Sequence, residues 1–309
     1  MVIGSYITLE DIIKYGIEIN ASDINITEDN FLACRVKKSI IINKDMMIYR
    51  DYMTSITEDL TNDSAVTSKI FNAVEQDGSF TYKHSDGMDY YFRYNIALTQ
   101  GLRHITIRKL INTIPSKESI GLDKNEGLDF YNICMKQKEG LYLVIGATGS
   151  GKSTTLTCVV DGLLRTGIKC ITLEAPIEFH YDVYLYNKFN SIIIQREVEK
   201  DTLSFEQGLR AAMRQNPDVI LVGEIRDPAS AVAALQAANT GHVVLATLHA
   251  SSVDLAIERM KWMVQNITND FSFLKAVMFQ RLDKTPDGNV VAYRDLKIMN
   301  SWYFFFLSK

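Results

Sequence analysis

The sequence lacks long apolar runs and closely spaced cysteines. No stretch reaches the roughly 18 apolar residues that a membrane-spanning helix needs, and no charged-then-apolar leader opens the chain. We therefore expect neither secretion nor direct insertion into a membrane. The four cysteines, Cys34, Cys134, Cys158 and Cys170, include no CxxC pair. Their spacing argues against a zinc site or a disulfide framework and fits a reducing cytosol.

The sequence also lacks a large excess of charge of either sign. It has 33 Lys and Arg residues against 37 Asp and Glu residues, for a net charge of −4. A chain this close to neutrality has no broad electrostatic attraction to nucleic acid or to anionic lipid. We therefore expect no nucleic-acid partner.

The domain organisation follows from the length of the chain and from a change in the pattern of predicted strands and helices along it. A chain of 309 residues predicts two domains. The polar, proline-bearing stretch 112–117 is the best linker candidate. After it, apolar strands alternate with helices, which is typical of a parallel sheet with crossover connections. We predict a small α+β domain over 1–111, a linker over 112–118 and an α/β domain with a parallel sheet over 119–309.

Within the first domain, helical periodicity and turn chemistry predict several elements. These are a capped helix starting at Thr8, a strand over 21–26, a helix over 63–76, a hairpin turning at Asp86–Gly87 and a strand over 103–108. In the second strand of the hairpin, Arg93 is expected on the face opposite Phe92 and Tyr94. Arg93 could therefore serve a ligand or a partner, and a solvated arginine on a sheet surface is the alternative.

The strongest motif is Gly146-Ala-Thr-Gly-Ser-Gly-Lys-Ser-Thr154, which fits GxxxxGK[ST] at every fixed position. Its flanks predict a buried strand before the loop and a helix after it, as a phosphate-binding loop requires. In such a loop the backbone N–H groups surround an anion, the lysine reaches the outer phosphates and the Ser/Thr hydroxyl helps to hold Mg²⁺. The predicted nucleotide-binding residues are Thr148, Gly149, Ser150, Gly151, Lys152, Ser153 and Thr154, with Ser153 also a metal ligand.

Three carboxylates are predicted at the ends of strands. Glu174 and Glu178 lie at and just beyond the end of the strand 169–173, where α/β sheets place their ligands. Glu224 ends the apolar stretch 218–223 in the manner of a Walker B acid that serves Mg²⁺ or water. Glu174 or Glu178 could then act as the general base of hydrolysis. The alternative for both is a pair of surface carboxylates at a turn.

Basic side chains complete the candidate site. A helix starting at Ser204 places Arg210 and Arg214 one turn apart, where they could compensate charge in this site or in that of a neighbouring subunit. Solvated or salt-bridged helix arginines are the alternative. His249 lies at the C-terminal end of a predicted buried strand over 240–249 and could sense a γ-phosphate, whereas a hydrogen-bonded structural histidine is the alternative.

Together these motifs resemble the secretion and type IV pilus motor ATPases, including the PilT-like retraction ATPases. Ala21-Ser-Asp23 resembles the ASD signature of that family, and Phe92-Arg-Tyr-Asn95 its RFRVN strand. Glu174–Glu178 resembles the Asp box, Gly223-Glu-Ile-Arg-Asp227 matches GEIRD, and Thr240-Gly-His242 with Thr247-Leu-His249 is similar to the His box. The resemblance covers nearly the whole chain.

The resemblance implies a cytoplasmic ATPase that works at the membrane face. A member of the family would use ATP and Mg²⁺, combine a PAS-like N-terminal domain with a RecA-like domain, and assemble as a homohexamer. Its hydrolysis would drive an inner-membrane platform protein in pilus retraction, pilus assembly or type II secretion. The resemblance also implies phosphate-contacting or inter-subunit roles for Arg93, Arg210 and Arg214.

Departures from the family pattern leave other functions open. Ala175 replaces the aspartate of EDPIE, and the expected C-terminus is shortened, with 302–307 predicted as a last strand. The tetracysteine module of many assembly ATPases is missing, and so is the AIRNLIRE-like signature, so the direction of pilus movement is not assigned. A nucleotide-binding regulatory subunit with little turnover, or a type IV secretion or conjugation ATPase, are the alternatives. A GTPase is disfavoured because the NKxD-like string at Asn187 lacks its aspartate.

Overall fold

The computed structural model describes residues 6–61, 75–110, 113–136, 138–265, 271–285, 287 and 289–299. The chain divides into two compact units, Met1–Asn112 and Thr113–Lys309. Among the described residues, no helix is long and apolar enough to cross a membrane. The predicted strand over 302–307 lies outside the described residues.

The first unit is a six-stranded sheet with helices. Its described elements are α1 (Leu9–Glu18), β1 (Asp23–Thr27), β2 (Asn30–Val36), β3 (Ser39–Ile48), α2 (Arg50–Thr61), β4 (Gln76–Lys83), β5 (Asp89–Thr99) and β6 (Leu102–Lys109). The strand order is β3-β2-β1-β6-β5-β4, and every neighbouring pair is antiparallel. The predicted cap of α1 is present as a capping box, in which Thr8 and Asp11 each bond the other's backbone N–H.

Other predictions for this unit had a mixed outcome. The hairpin at Asp86–Gly87 is confirmed as the β4–β5 turn. Most of the predicted helix 63–76 lies outside the described residues, and its predicted end is wrong because Gln76 pairs with Ile96 as the first residue of β4. Strands β2 and β3 and helix α2 were not predicted. In β3 the run Ile40, Ile41 and Ile42 is exposed, so it lacks the alternation that identifies a half-buried strand.

Arg93 lies on the exposed face of β5, as predicted, directly across from Arg108 in β6. The Nε of Arg108 lies 2.7 Å from the Oδ1 of Asp23. Arg103 shows the opposite behaviour, since it points into the core and its Nε lies 2.9 Å from the Oε2 of Glu28. Removing either partner would leave the other as a buried charge with one interaction fewer, which is costly. The ion pair therefore holds Arg103, and with it the start of β6, against Glu28.

The second unit is a seven-stranded mixed sheet covered by helices. Its described elements are α3 (Asn125–Met135), β7 (Gly140–Ile145), α4 (Lys152–Leu164), β8 (Lys169–Glu174), α5 (Val183–Asn187), β9 (Ile192–Glu197), α6 (Phe205–Met213), β10 (Val219–Val222), α7 (Pro228–Asn239), β11 (Val243–Leu248), α8 (Val253–Val264), β12 (Leu274–Lys284) and β13 (Val290–Ile298). The strand order is β13-β12-β7-β11-β10-β8-β9.

All neighbours in this sheet are parallel except β12 and β13, which form an antiparallel pair at one edge. Strands β7, β10 and β11 are buried along their whole length. Continuous apolar strands of this kind are expected when helices cover both faces of a parallel sheet. Two separate apolar clusters, which share no core residue, provide these two covered faces.

Two helices of this unit begin at side-chain caps, the first of them at the predicted helix start. Ser204 caps α6, and Asp227 caps α7 with Pro228 at its first position. Ser204 follows the loop after β9, and Asp227 follows the loop after β10, so each cap begins the helix that comes after a strand. The β12–β13 pair was not predicted, because its strands follow one another without the helix that a parallel sheet requires between strands.

Candidate active site

The carboxyl ends of four parallel strands meet at one edge of the second sheet. Strand register places Ile145 beside Leu248, Ala246 beside Val222 and Val222 beside Leu173. The residues that follow each strand therefore emerge together, as expected of ligand sites in α/β sheets. A cavity of about 290 Å³ lies there, which we call the carboxylate cavity. Its lining includes the predicted residues Thr148, Gly149, Lys152, Ser153, Glu174, Glu178, Glu224 and His249.

The loop 146–154 connects β7 to α4 as predicted. Gly151 is the N-cap of α4 at φ 81°, in the left-handed region that favours glycine. Gly146 is also required, since a Cβ there would lie 2.2 Å from the backbone oxygen of Gln280. The loop can thus pass close to the neighbouring strand and present the N-terminus of α4, where the helix dipole favours an anion.

Lys152 is the buried cation of the loop. Its Nζ donates a 2.8 Å hydrogen bond to the carbonyl oxygen of Ala147. Burial lowers the pKa of Lys152 from its ordinary value, while the negative charges of Glu224 and Glu178 oppose that shift. A buried ammonium group that lines a cavity gains favourable interactions when an anionic phosphate enters that cavity.

Glu174 is the most perturbed carboxylate of the cavity. It ends β8 and is only 8% exposed. Burial raises its pKa to about 7, although hydrogen bonds from Thr172 at 2.7 Å and Gln195 at 3.3 Å favour the charged form. A carboxylate whose pKa lies near neutrality can accept a proton from water and release it again. Glu178 is exposed at the rim of the same cavity.

Glu224 and His249 contact each other in the lining of the carboxylate cavity. The Nε2 of His249 lies 3.3 Å from Oε1 of Glu224, and the Nε of Arg226 lies 2.6 Å from its Oε2. Thr247, two residues before His249, donates a 2.5 Å hydrogen bond to the carbonyl oxygen of Gly223. This bond fixes the backbone before Glu224 next to the strand that carries His249. His242 lies at the other end of β11 and contacts the carbonyl oxygen of Ala237.

The predicted arginines do not line this cavity. Arg210 forms an exposed ion pair with Glu206, with 2.9 Å between its Nη2 and the Oε1 of Glu206. Arg214 is exposed at the C-cap of α6, and Arg93 lies in the other unit. Within the described unit, the salt-bridged alternative therefore fits Arg210, and the inter-subunit role of all three arginines stays a prediction.

Gly151 and Thr154 line a second cavity of about 430 Å³, which we call the Arg294 cavity. Residues 118–121 and 124–127, Thr155 and part of the β12–β13 hairpin also line it. Arg294 and its register partner Gln280 were missed by the sequence analysis. The Gln280-Arg-Leu282 string that follows the predicted site was the signal that could have drawn attention to this hairpin.

The carboxylate cavity offers two oxygen groups to a divalent cation. Ser153 supplies a hydroxyl and Glu224 a carboxylate to one cavity, and no cluster of three or more His, Cys, Asp or Glu residues that could hold a metal occurs in the described part of the chain. Mg²⁺ retains several waters and is commonly held by one or two protein oxygens together with substrate phosphates. The two oxygen groups present fit such a site.

A family model described as "Type II/IV secretion system protein" matches residues 7–294. The chain belongs to this family. Membership confirms the resemblance found in the sequence.

Named relatives of the chain include a pilus retraction ATPase and a twitching motility protein. The chain is 39% identical over 202 residues to the "Type IV pilus retractation ATPase PilT" of Pseudomonas aeruginosa, covering 61% of this chain and 55% of that protein. It is 38% identical over 201 residues to the "Twitching motility protein" of Neisseria gonorrhoeae, covering 62% of this chain and 52% of that protein. The matched regions thus span about half the length of these relatives.

A solved structure supports the fold. The "Pilus Retraction Motor PilT and Bound ADP" has a TM-score of 0.82 and 31% identity, covering 97% of this chain and 86% of the solved one. The predicted α/β domain with a largely parallel sheet, preceded by a smaller α+β unit, is confirmed. The PAS-like character of the first unit stays a prediction.

Proposed function

We propose that this chain is an ATPase motor that acts as a homohexamer on an inner-membrane platform protein, at the cytoplasmic face, to drive pilus or type II secretion dynamics. The observation that carries the proposal is the carboxylate cavity, where Lys152 and Ser153 meet Glu174, Glu178, Glu224 and His249. Nucleotide hydrolysis uses a cation, a hydroxyl and a base at the phosphates. Lys152, Ser153 and a glutamate supply these groups here, and His249 is the candidate γ-phosphate sensor. Membership in a family with pilus and secretion ATPases supports the same function.

The two cavities suggest how a nucleotide lies on the loop. Lys152 lies in the carboxylate cavity, so the β- and γ-phosphates belong there. Thr154 and Thr155 belong to the first turn of α4 and line the Arg294 cavity. The nucleoside end of the nucleotide would therefore extend towards the Arg294 cavity, whose 430 Å³ is within the size range of small-molecule sites.

Each polar group of the carboxylate cavity has a proposed task. Lys152 stabilises the outer phosphates, and Ser153 and Glu224 hold Mg²⁺, which when bound supplies charge neutralisation for the phosphates. Glu174 takes the proton of the attacking water, because it is buried with a pKa of about 7. Glu178 is less suited than Glu174 to act as the general base, because its side chain is exposed.

Steady-state ATPase assays on the wild type and Lys152→Ala test the proposal. The wild type should release phosphate, and Lys152→Ala should lose at least about a hundredfold of kcat, since transition-state charge stabilisation is worth that much. Sedimentation in the presence of ATP should show a hexamer. A wild type that assembles and binds ATP, yet turns over no faster than Lys152→Ala with a platform protein present, would remove the motor function.

A regulatory subunit with little turnover is the second candidate, because Ala175 lines the carboxylate cavity where relatives of the EDPIE type have a carboxylate. Restoring that carboxylate in Ala175→Asp separates the two candidates. If the chain is a motor, the substitution should change kcat only a few-fold. If it is a regulator, the substitution should raise a very low kcat by at least about tenfold, within the range of a positioned polar group.

A further inference from the structure

Gln280 lies beside the phosphate loop although it comes from a distant part of the chain. Phe279 of β12 pairs with Ile145 of β7, so Gln280 is next to Gly146, the first residue of the loop. Its side chain is 2% exposed and extends towards the loop. The Nε2 of Gln280 donates a 2.7 Å hydrogen bond to the carbonyl oxygen of Ser150.

The other end of the same amide accepts two hydrogen bonds. Oε1 of Gln280 accepts from Oγ1 of Thr155 at 2.8 Å and from Nε of Arg294 at 3.0 Å. A guanidinium group carries donors and no acceptor. Arg294 therefore requires the oxygen of the amide to face it, and this requirement turns the amide nitrogen towards Ser150. The reversed amide would place its oxygen against the Ser150 carbonyl and its N–H against Arg294.

Arg294 is itself held by backbone carbonyls. Its Nη1 donates to the oxygen of Gly121 and its Nη2 to that of Ile120, each at 2.9 Å. It is 9% exposed, and no carboxylate forms an ion pair with it among the residues that the structure describes. A buried guanidinium group held at three nitrogens has little freedom, so it can orient Gln280.

We propose that Gln280 is a positioning residue that holds the middle of the phosphate loop in its anion-binding shape, with Arg294 fixing the orientation of its amide. This inference rests on the proposed nucleotide binding. The bond to Ser150 restrains a loop whose N–H groups must point at the phosphates. Gln280 does not line the carboxylate cavity, so it acts through the loop and not on the nucleotide.

Gln280→Glu tests this role because it separates loop positioning from folding. A carboxylate can still accept from Thr155 and gains an ion pair with buried Arg294, which offsets the lost bond to Ser150, so the thermal midpoint of the ligand-free variant should stay within about 5 °C of the wild type. The same carboxylate cannot donate to Ser150 and repels its carbonyl oxygen. The dissociation constant for ADP, measured by isothermal titration calorimetry on the full chain, should rise about tenfold.

Gln236→Glu is the matched control, since it makes the same chemical change at an exposed position of α7. It should leave both the thermal midpoint and ADP affinity unchanged. If Gln280→Glu does not fold, Gln280→Met, which is similar in length and also cannot donate, is measured in its place. It removes the acceptor of Thr155 and Arg294 as well, so its thermal midpoint should fall, and below that midpoint its dissociation constant for ADP should still rise about tenfold.

Unchanged ADP affinity in the folded Gln280 variant would overturn the inference while leaving the proposed function intact. Failure of the wild type to bind ADP would instead overturn the proposed function. A loss of ADP affinity at an unchanged thermal midpoint supports positioning, because a purely structural role would lower both.

Discussion

Oγ1 of Thr172 donates a 2.7 Å hydrogen bond to Oε1 of Glu174, and both side chains are buried at the end of β8. This bond favours the charged carboxylate, whereas burial, the larger effect, favours the neutral acid. The balance gives Glu174 a pKa of about 7. Glu174 is therefore poised to exchange a proton at neutral pH.

The pH dependence of ATP hydrolysis should follow Glu174. A general base must be deprotonated to work, so kcat should fall as the pH decreases through about 7. Thr172→Val removes a hydrogen bond to the charged form with little change in volume, so the acidic limb should move to higher pH. Initial rates from pH 5.5 to 9 measure both profiles. Identical acidic limbs in the wild type and Thr172→Val would argue against Glu174 as the base.

Glu174→Gln should make the protein more stable at alkaline pH. The folded-state pKa of about 7 lies above the ordinary 4.5. Between these values the folded state keeps a proton that the unfolded state has released, so the wild type loses stability as the pH rises through this range. Glutamine does not ionise, and the variant should exceed the wild type by about 2 to 3 kcal/mol at pH 8.

Urea unfolding at pH 8 and at pH 4.5 measures this difference, which should nearly vanish at the lower pH. Glu178→Gln is the matched control, because its exposed side chain should change the free energy of unfolding by less than about 0.5 kcal/mol at either pH. An equal gain for both variants at pH 8 would show that burial of Glu174 is not the cause.

The loop and the acids around it could be predicted because each is encoded locally. Gly146, Gly151 and Lys152 stand at fixed spacing. Glu174 ends β8, and Glu224 follows the apolar strand β10 by two residues. Parallel sheets bring strand ends to one edge, so convergence of these residues follows from topology alone. The pKa of Glu174 could not be predicted, since it depends on burial by residues that are distant in sequence.

The parts that sequence reasoning missed depend on contacts across long separations. Arginine is usually found at the protein surface, and the burial of Arg103 is explained by its pairing with Glu28. Gln280 contacts Ser150 across 130 positions of the chain, which no periodicity reveals. Likewise, Ile40–Ile42 is an exposed apolar run, so polar residues do not mark this solvent-exposed part of β3.

His249 should act on the γ-phosphate and not on ADP. It faces Glu224 at the end of β11, and ADP lacks the phosphate that it is proposed to sense. His249→Ala should therefore lower kcat about 10- to 100-fold, the range of one electrostatic or acid–base group, while the dissociation constant for ADP changes less than about twofold. Phosphate release and calorimetry measure the two quantities.

His242→Ala provides the control for His249, since His242 belongs to the opposite end of the same strand and bonds Ala237. Its kcat should stay within about twofold of the wild type, as expected for a substitution outside the site. If His249→Ala weakened ADP binding as much as it lowered kcat, His249 would be a general binding residue and not a γ-phosphate sensor.

Arg210 and Arg214 should act in the site of a neighbouring subunit, because α6 carries both outside the carboxylate cavity of their own chain. Replacing either with alanine should leave ADP affinity within about twofold and the free energy of unfolding within about 0.5 kcal/mol, since Arg210 loses only an exposed ion pair. Turnover should nevertheless fall at least tenfold, as expected when an arginine that stabilises transition-state charge is lost.

Mixing two inactive variants tests this arrangement directly. Lys152→Ala retains its arginines and Arg214→Ala retains its phosphate loop, so a mixed ring contains some sites with both parts and should regain activity that neither variant has alone. Arg165→Ala is the control. Like Arg214, Arg165 is an exposed arginine at the C-cap of a helix, and like Arg210 it is paired with an acid four residues earlier. This variant should keep wild-type turnover. Two variants that assemble together yet regain no activity would place the function of Arg214 within its own subunit.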